Sequence, residues 1–234
     1  MKIFAFVSWL YATLVILTGL TIKIVLYKLV KRPYASKIAS WFIRYLIFSP
    51  VRTHGSAIDH DTQLFLINHQ SDLDIGVMET LTHRDLAWVA KKELFEVPFF
   101  GLAVRLSKDI PVERESKSSL LKLLKDAKDR LDNGRVICMF PEGTRSTTGR
   151  MRSFKPGAKL LADKFALRVQ PVVLLETAEH FDIKRKHFRP GTVHAIFLDP
   201  FVADKGDKEW LDRLHTTMQS VYDEKLAEIR QERP

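Results

Sequence analysis

Asn68-His69-Gln70-Ser71-Asp72-Leu73-Asp74 places a histidine and a carboxylate five positions apart in one polar block. Histidine titrates ordinarily near neutral pH, so it can take a proton and return it. An aspartate that accepts from one ring nitrogen fixes the tautomer and makes the other nitrogen more basic. His69 is therefore a candidate general base, with Asp74 as its orienting partner. Five residues is about 140° around an ideal helix, so the two would not share a helical face. A loop histidine and a first-turn aspartate can still meet. Ser71 can cap a helix that begins next, which puts Asp74 in that first turn.

A second block reads Phe140-Pro141-Glu142-Gly143-Thr144-Arg145-Ser146. Gly143 permits a sharp turn or a close approach to a ligand. Arg145 offers a planar, permanently charged fork that suits a phosphate. A third stretch, residues 91–101 (KKELFEVPFFG), is followed by residues 110–114 (IPVER). Lys91, Lys92 and Arg114 add positive charge. Phe95, Phe99 and Phe100 are candidates to line an apolar channel.

Such groups need rigid supports. Residues 63–67 (QLFLI) read as a buried strand, so His69 stands in the loop at a strand's end. Backbone there is held firmly yet open to solvent. Residues 86–90, 136–140, 169–175 and 192–198 read as further strands. Residues 116–131 are the clearest helix: Leu120, Leu123, Leu124, Ala127 and Leu131 line one face, Ser116 caps the start and Gly134 closes the end. Residues 155–165 and 210–229 are also helical. The alternation makes residues 50–234 one α/β domain, with its boundary near Pro50.

Residues 1–49 differ. Ile3 to Ile22 are 20 consecutive uncharged positions between Lys2 and Lys23. About 20 apolar residues suffice to cross a bilayer core as a helix. A cleavable signal would be shorter and carry a small-x-small site; a basic segment follows here instead. In residues 35–48, Ile38, Trp41, Phe42, Tyr45 and Leu46 recur at helical spacing beside Lys37 and Arg44, the composition of an interfacial helix. Pro33 favours a break between the two segments. Together they form a two-helix membrane motif. Ser8, Tyr11, Thr18 and Thr21 give the first helix a weakly polar stripe, so both a spanning helix and a hairpin in one leaflet stay open. If the first helix spans, the basic residues at 23–44 place its C-terminal end, and hence the body, on the cytoplasmic face.

Charge supports that reading. The chain carries 37 Lys+Arg against 28 Asp+Glu, and +7 of the net +9 lies in residues 1–50, where no acidic residue occurs. A nucleic-acid binder would place its basic stripe on the folded body. An anionic lipid surface is the expected partner, and nucleic acid is not. One cysteine excludes a disulfide framework and a multi-Cys zinc site. The eight histidines show no HExxH pair, so no metal is expected. No G-x-S-x-G elbow supports a serine hydrolase, and Cys138 inside VICMF reads as a buried structural thiol. A lipid-binding scaffold would explain the first 50 residues but not the polar blocks.

In order and spacing, these blocks resemble the 1-acylglycerol-3-phosphate O-acyltransferases, the NHxxxxD glycerolipid acyltransferases. Residues 68–74 match the NHxxxxD block in its NHQS form, and residues 140–146 are FPEGTRS unchanged. Residues 91–101 look like K-x-x-L-x-x-x-P-x-x-G, and 110–114 like I-x-V-x-R. Phe154-Lys155-x-Gly157 and Val169-Gln170-Pro171-Val172 resemble two later blocks. The likeness covers about residues 64–175. Asp109 departs from it, standing where the family often has Gly, and a local loop change is expected there.

The resemblance implies a mixed sheet flanked by helices. It implies acyl transfer from a thioester, acyl-CoA or acyl-carrier protein, to the sn-2 hydroxyl of lysophosphatidic acid, giving phosphatidic acid. His69 with Asp74 would be catalytic. Lys91, Arg114, Glu142, Gly143, Thr144 and Arg145 would bind substrate, with Lys91 and Arg145 on its phosphate and Glu142 and Gly143 shaping the loop. No cofactor is implied beyond the acyl donor, and acyl carrier protein is a possible partner. Glycerol 3-phosphate or another lysophospholipid is the alternative acceptor.

Overall fold

The structure is a computed structural model that describes residues 2–30, 32–46, 49–113, 117–146, 148–183 and 185–232. Two helices come first, α1 (Lys2–Leu26) and α2 (Arg32–Leu46). The body then runs β1 (Val51–Gly55), β2 (Leu64–Ile67), α3 (Leu73–Leu81), β3 (Leu86–Lys91), a 3₁₀ turn at Lys92–Phe95, α4 (Phe100–Leu106) and β4 (Ile110–Val112). It continues with α5 (Lys117–Asp132), β5 (Val136–Met139), α6 (Pro156–Phe165), β6 (Arg168–Leu175) and α7 (Thr177–His180). It closes with β7 (Phe181–Asp182), β8 (His187–Phe188), β9 (Val193–Phe197), β10 (Phe201–Val202) and α8 (Trp210–Gln231).

Eight strands form one mixed sheet in the order β1-β9-β6-β2-β5-β3-β4, with β10 also on β6. Pairing is parallel except where β6 meets β9 and β10. Side chains alternate across it with the period of a strand. Leu64, Leu66, Ile137, Met139 and Val173 face a core closed by α5, α6 and α8. Phe65, Ile67, Val136, Cys138 and Val172 face a second core closed by α3. Burial on both faces explains why β2 and β5 are unbroken apolar runs rather than alternating ones.

The helix expected over 116–131 is α5. Its expected cap, Ser116, lies outside the described residues. Gly134 sits at φ +70°, the left-handed conformation that ends a helix. Pro33 does not mark the break; the chain turns at residues 27–30 and Pro33 falls in the first turn of α2, where its missing N–H costs no helical bond.

α1 and α2 pack on each other, α2 also on α3, and α1 on α4 and β8. They cross closely at Gly19: a Cβ there would stand 2.3 Å from Ile43 Cγ1. Ala12, Val15, Ile16 and Ile43 join Leu73 and Phe181 of the body in a third core. The segment Phe6–Leu26 is long and apolar enough to cross a membrane. Phe6, Val7, Leu10, Leu14 and Leu17 stay exposed along its outer side.

At Asp109, where a local loop change is expected, the chain enters β4 through Lys108 at φ +53°. Asp109 is buried, and its Oδ1 accepts the backbone N–H of Trp88 at 3.0 Å, one position before β3 begins to pair with β4. The carboxylate supplies a rung that the short neighbouring strand lacks.

Candidate active site

β6, β2, β5 and β3 are parallel neighbours, so their C-terminal ends share one edge of the sheet. Crevices outside such ends are where open α/β sheets bind ligands. The loop after β2 carries residues 68–74, and the loop after the adjacent β5 carries residues 140–146.

His69 and Asp74 meet. His69 Nδ1 lies 2.8 Å from Asp74 Oδ2, and the same oxygen accepts the N–H groups of Gln70 (2.7 Å) and Ser71 (2.9 Å). Asp74 sits in the first turn of α3, fully buried. A carboxylate oxygen opposite Nδ1 requires the proton on Nδ1, which leaves Nε2 as the acceptor. Among the described residues none hydrogen-bonds Nε2, and the ring is 17% exposed. Ser71 Oγ donates to Phe181 O (2.5 Å) and accepts from Leu73 N (3.2 Å). Asp72, not Ser71, is the N-cap of α3; Ser71 stands one position earlier, and its hydroxyl is committed to these two backbone groups, away from nucleophilic work.

Glu142 locks the second loop to the first. It is buried, its Oε1 accepts His69 N and its Oε2 accepts Arg152 N, each at 2.8 Å. Burial pushes its carboxyl up, against those two bonds. Both oxygens are thus committed to backbone, so Glu142 shapes the site from behind. Gly143 takes φ +71°, which a side chain would strain, and Ser146 N returns to His69 O at 2.8 Å. Arg145 pairs with Asp72 beside His69. Burial raises the Asp72 carboxyl, with Arg145 opposing.

The other expected binding residues stand apart. Lys91 is exposed at the end of β3, with Nζ 3.1 Å from Glu93 Oε1. Thr144 is exposed. Among the described residues neither bonds to the His69 group. Arg114 lies outside the described residues. The Cys138 thiol is buried in β5 and pushed up by burial, which makes it inert. Among the described residues no three His, Cys, Asp or Glu side chains are grouped as a metal site needs.

Several contributors were not singled out from the sequence. Asn68 exchanges both hydrogen bonds with Leu174 of β6 (2.9 and 2.6 Å), tying the His69 loop to the neighbouring strand. Gln70 Nε2 donates to Tyr222 OH of α8 at 2.8 Å. Phe140 stacks on His69. Asn68 and Phe140 lie inside the motifs and were open to notice. Tyr222 lies 152 positions from its partner, and no local pattern announces it.

A family model described as acyltransferase matches residues 50–175. The 1-acyl-sn-glycerol-3-phosphate acyltransferase of Helicobacter pylori is 36% identical over 71% of this chain and 70% of its own length. The Escherichia coli protein of the same name is 26% identical over 77% and 74%. Among solved structures, the 1-acyl-sn-glycerophosphate acyltransferase PlsC of Thermotoga maritima shares the fold, with a TM-score of 0.75, 24% identity and 98% and 97% of the two chains covered. A matched segment that holds both polar loops, and a relative this similar over most of both lengths, make this chain a member of the 1-acyl-sn-glycerol-3-phosphate acyltransferase family.

Proposed function

We propose that the protein transfers a fatty acyl group from an acyl thioester to the sn-2 hydroxyl of 1-acyl-sn-glycerol 3-phosphate, giving phosphatidic acid. The observation that carries the mechanism is the His69–Asp74 pair with Nε2 left free to accept. His69 Nε2 takes the proton of the hydroxyl as that oxygen attacks the thioester carbonyl. The C–O bond forms, the C–S bond breaks, and the departing thiolate recovers the proton from His69. The thiol is a good leaving group, so no acyl-enzyme is required. Asp74 holds the tautomer and offsets the imidazolium charge. A base so placed contributes about 10²–10⁴-fold.

Arg145, held beside His69 by Asp72, is the residue best placed for the acceptor's phosphate. Lys91 is proposed to add to it, and so is Arg114 by its place in the third motif. The exposed side of α1 and the basic residues of the first 50 positions would set the enzyme on an anionic membrane, where its lipid substrate and product reside.

α1 touches the body at both ends: Lys186 Nζ lies 5.6 Å over the Trp9 ring, and Lys23 Nζ is 4.0 Å from Glu79 Oε1. Those contacts are about 21 Å apart along the helix. A helix lying that far along a polar domain cannot also run across a bilayer away from it. This supports α1 resting in one leaflet; the basic residues of the first 50 positions favour the anionic cytoplasmic leaflet for it.

The test is thiol release by detergent-purified protein given oleoyl-CoA or, separately, an acyl-carrier thioester. Release that requires lysophosphatidic acid, forms phosphatidic acid and is lost in His69→Ala establishes the reading and names the donor. Release without acceptor would point instead to a thioesterase. No turnover with either donor would reject lysophosphatidic acid as acceptor.

A further inference from the structure

We propose that Phe140 and Trp88 are positioning residues for His69: a column of stacked rings that holds the imidazole flat as it takes and returns the proton. The proposal rests on the reading of His69 as the base. The bond from Nδ1 to Asp74 fixes one point of the ring but leaves it free to swing about that axis. Phe140 removes this freedom. Its ring lies face to face with the imidazole, centroids 3.8 Å apart and planes 11° apart. Trp88 backs Phe140 at 5.2 Å and 26°.

Trp88 is in turn held twice. Its backbone N–H donates to Asp109 Oδ1 and its Nε1–H to Glu79 Oε1, each at 3.0 Å. Glu79 belongs to α3, the helix that carries Asp74. So α3 grips both ends of the column, the imidazole through Asp74 and the indole through Glu79. Lys23 of α1 reaches Glu79 as well, which joins the column to the N-terminal helices.

The stack also has an electrostatic consequence. An aromatic face attracts a cation, so Phe140 favours the imidazolium that exists between deprotonation of the acceptor and release of the thiol. A ring serving only to fill the core would affect stability alone.

The experiment compares kcat, KM for both substrates and the thermal midpoint for Phe140→Leu, Phe140→Tyr and Trp88→Phe, beside His69→Ala. Expected for Phe140→Leu is a roughly 3–30-fold loss of kcat with each KM within about twofold. Phe140→Tyr, which keeps the aromatic face, recovers most of that loss. Trp88→Phe keeps a ring but loses the bond to Glu79, and its kcat falls less. The ring protons of His69, assigned by NMR against His69→Ala, should lose their upfield displacement in Phe140→Leu and keep it in Phe140→Tyr. If His69→Ala removes turnover while folded Phe140→Leu keeps wild-type kcat, the stack has no positioning role. If Phe140→Leu does not fold, wild-type kcat in Trp88→Phe with an unchanged His69 signal overturns the proposal. Full activity in His69→Ala would instead overturn the function proposed above.

Discussion

Asp74 concentrates its work on one atom. Oδ2 receives three donors, while Oδ1 is buried and has no partner among the described residues. In Asp74→Asn, the amide oxygen can take the place of Oδ2 and keep the backbone bonds, but the charge is lost. Expected is a kcat reduced about 10²–10⁴-fold, with a melting midpoint within a few degrees of the parent, read by steady-state kinetics and calorimetry. A loss below threefold would remove Asp74 from the mechanism. Glu142→Gln retains one acceptor and turns an N–H donor toward the other backbone N–H. A buried donor so stranded costs about 1–3 kcal/mol, expected as a lowered midpoint together with lowered kcat, because the same bond sets His69 N. An unchanged midpoint would show that the loop does not need that lock. The His69–Asp74 pairing was legible in the sequence because one strand end and one helix start fix both residues. The part played by Glu142 was not, because its partners are backbone N–H groups, which every residue has.

Elements decide how the N-terminal helices meet the rest. The sequence showed two apolar-basic helices but left their depth open, since composition is the same for a spanning helix and one lying in a leaflet. The arrangement is set by contacts far apart in the chain, Trp9 with Lys186 and Lys23 with Glu79. If α1 lies in one leaflet, a protease-cleavable tag before Met1 will be removed from vesicles with the cytoplasmic face outward and spared in the opposite orientation. The reverse result would make α1 a spanning helix. The crossing at Gly19 is a second point of test. Gly19→Leu puts atoms where Ile43 now stands and should destabilise by about 1–3 kcal/mol. Adding Ile43→Ala should return part of that loss in thermal unfolding, and strict additivity of the two changes would contradict the crossing.

At the scale of the molecule, the sequence yielded the α/β class and most interior strands, because strands buried on both faces are unbroken apolar runs. It missed β1, β4, β10 and the β7–β8 hairpin, strands that are short, polar or at an edge and gain their conformation from partners. It also gave no sign that Asp109 and Glu79 would be interior, and burial raises both carboxyls. A raised carboxyl means that the folded state binds its proton at a pH where the unfolded chain has released it. The contribution of Asp109 to stability is therefore largest below its ordinary 3.8 and declines as pH rises through the window above that value. Asp109→Asn keeps the acceptor for Trp88 and abolishes the titration. The midpoint of the parent minus that of the variant should accordingly fall as pH is raised from about 4, followed by scanning fluorimetry at constant ionic strength. A difference that rises with pH would mean Asp109 is held ionised.

The bond between Gln70 and Tyr222 has a consequence for the order in which the protein is made. Tyr222 stands 152 residues after Gln70, so the loop bearing His69 leaves the ribosome long before the helix that braces it exists. The greasy first helices are translated earlier still and are free to find lipid at once. If those helices engage lipid during synthesis, the chain reaches the bilayer before the His69 loop is braced, and a nascent chain arrested ahead of α8 is expected to be membrane-bound yet unable to acylate.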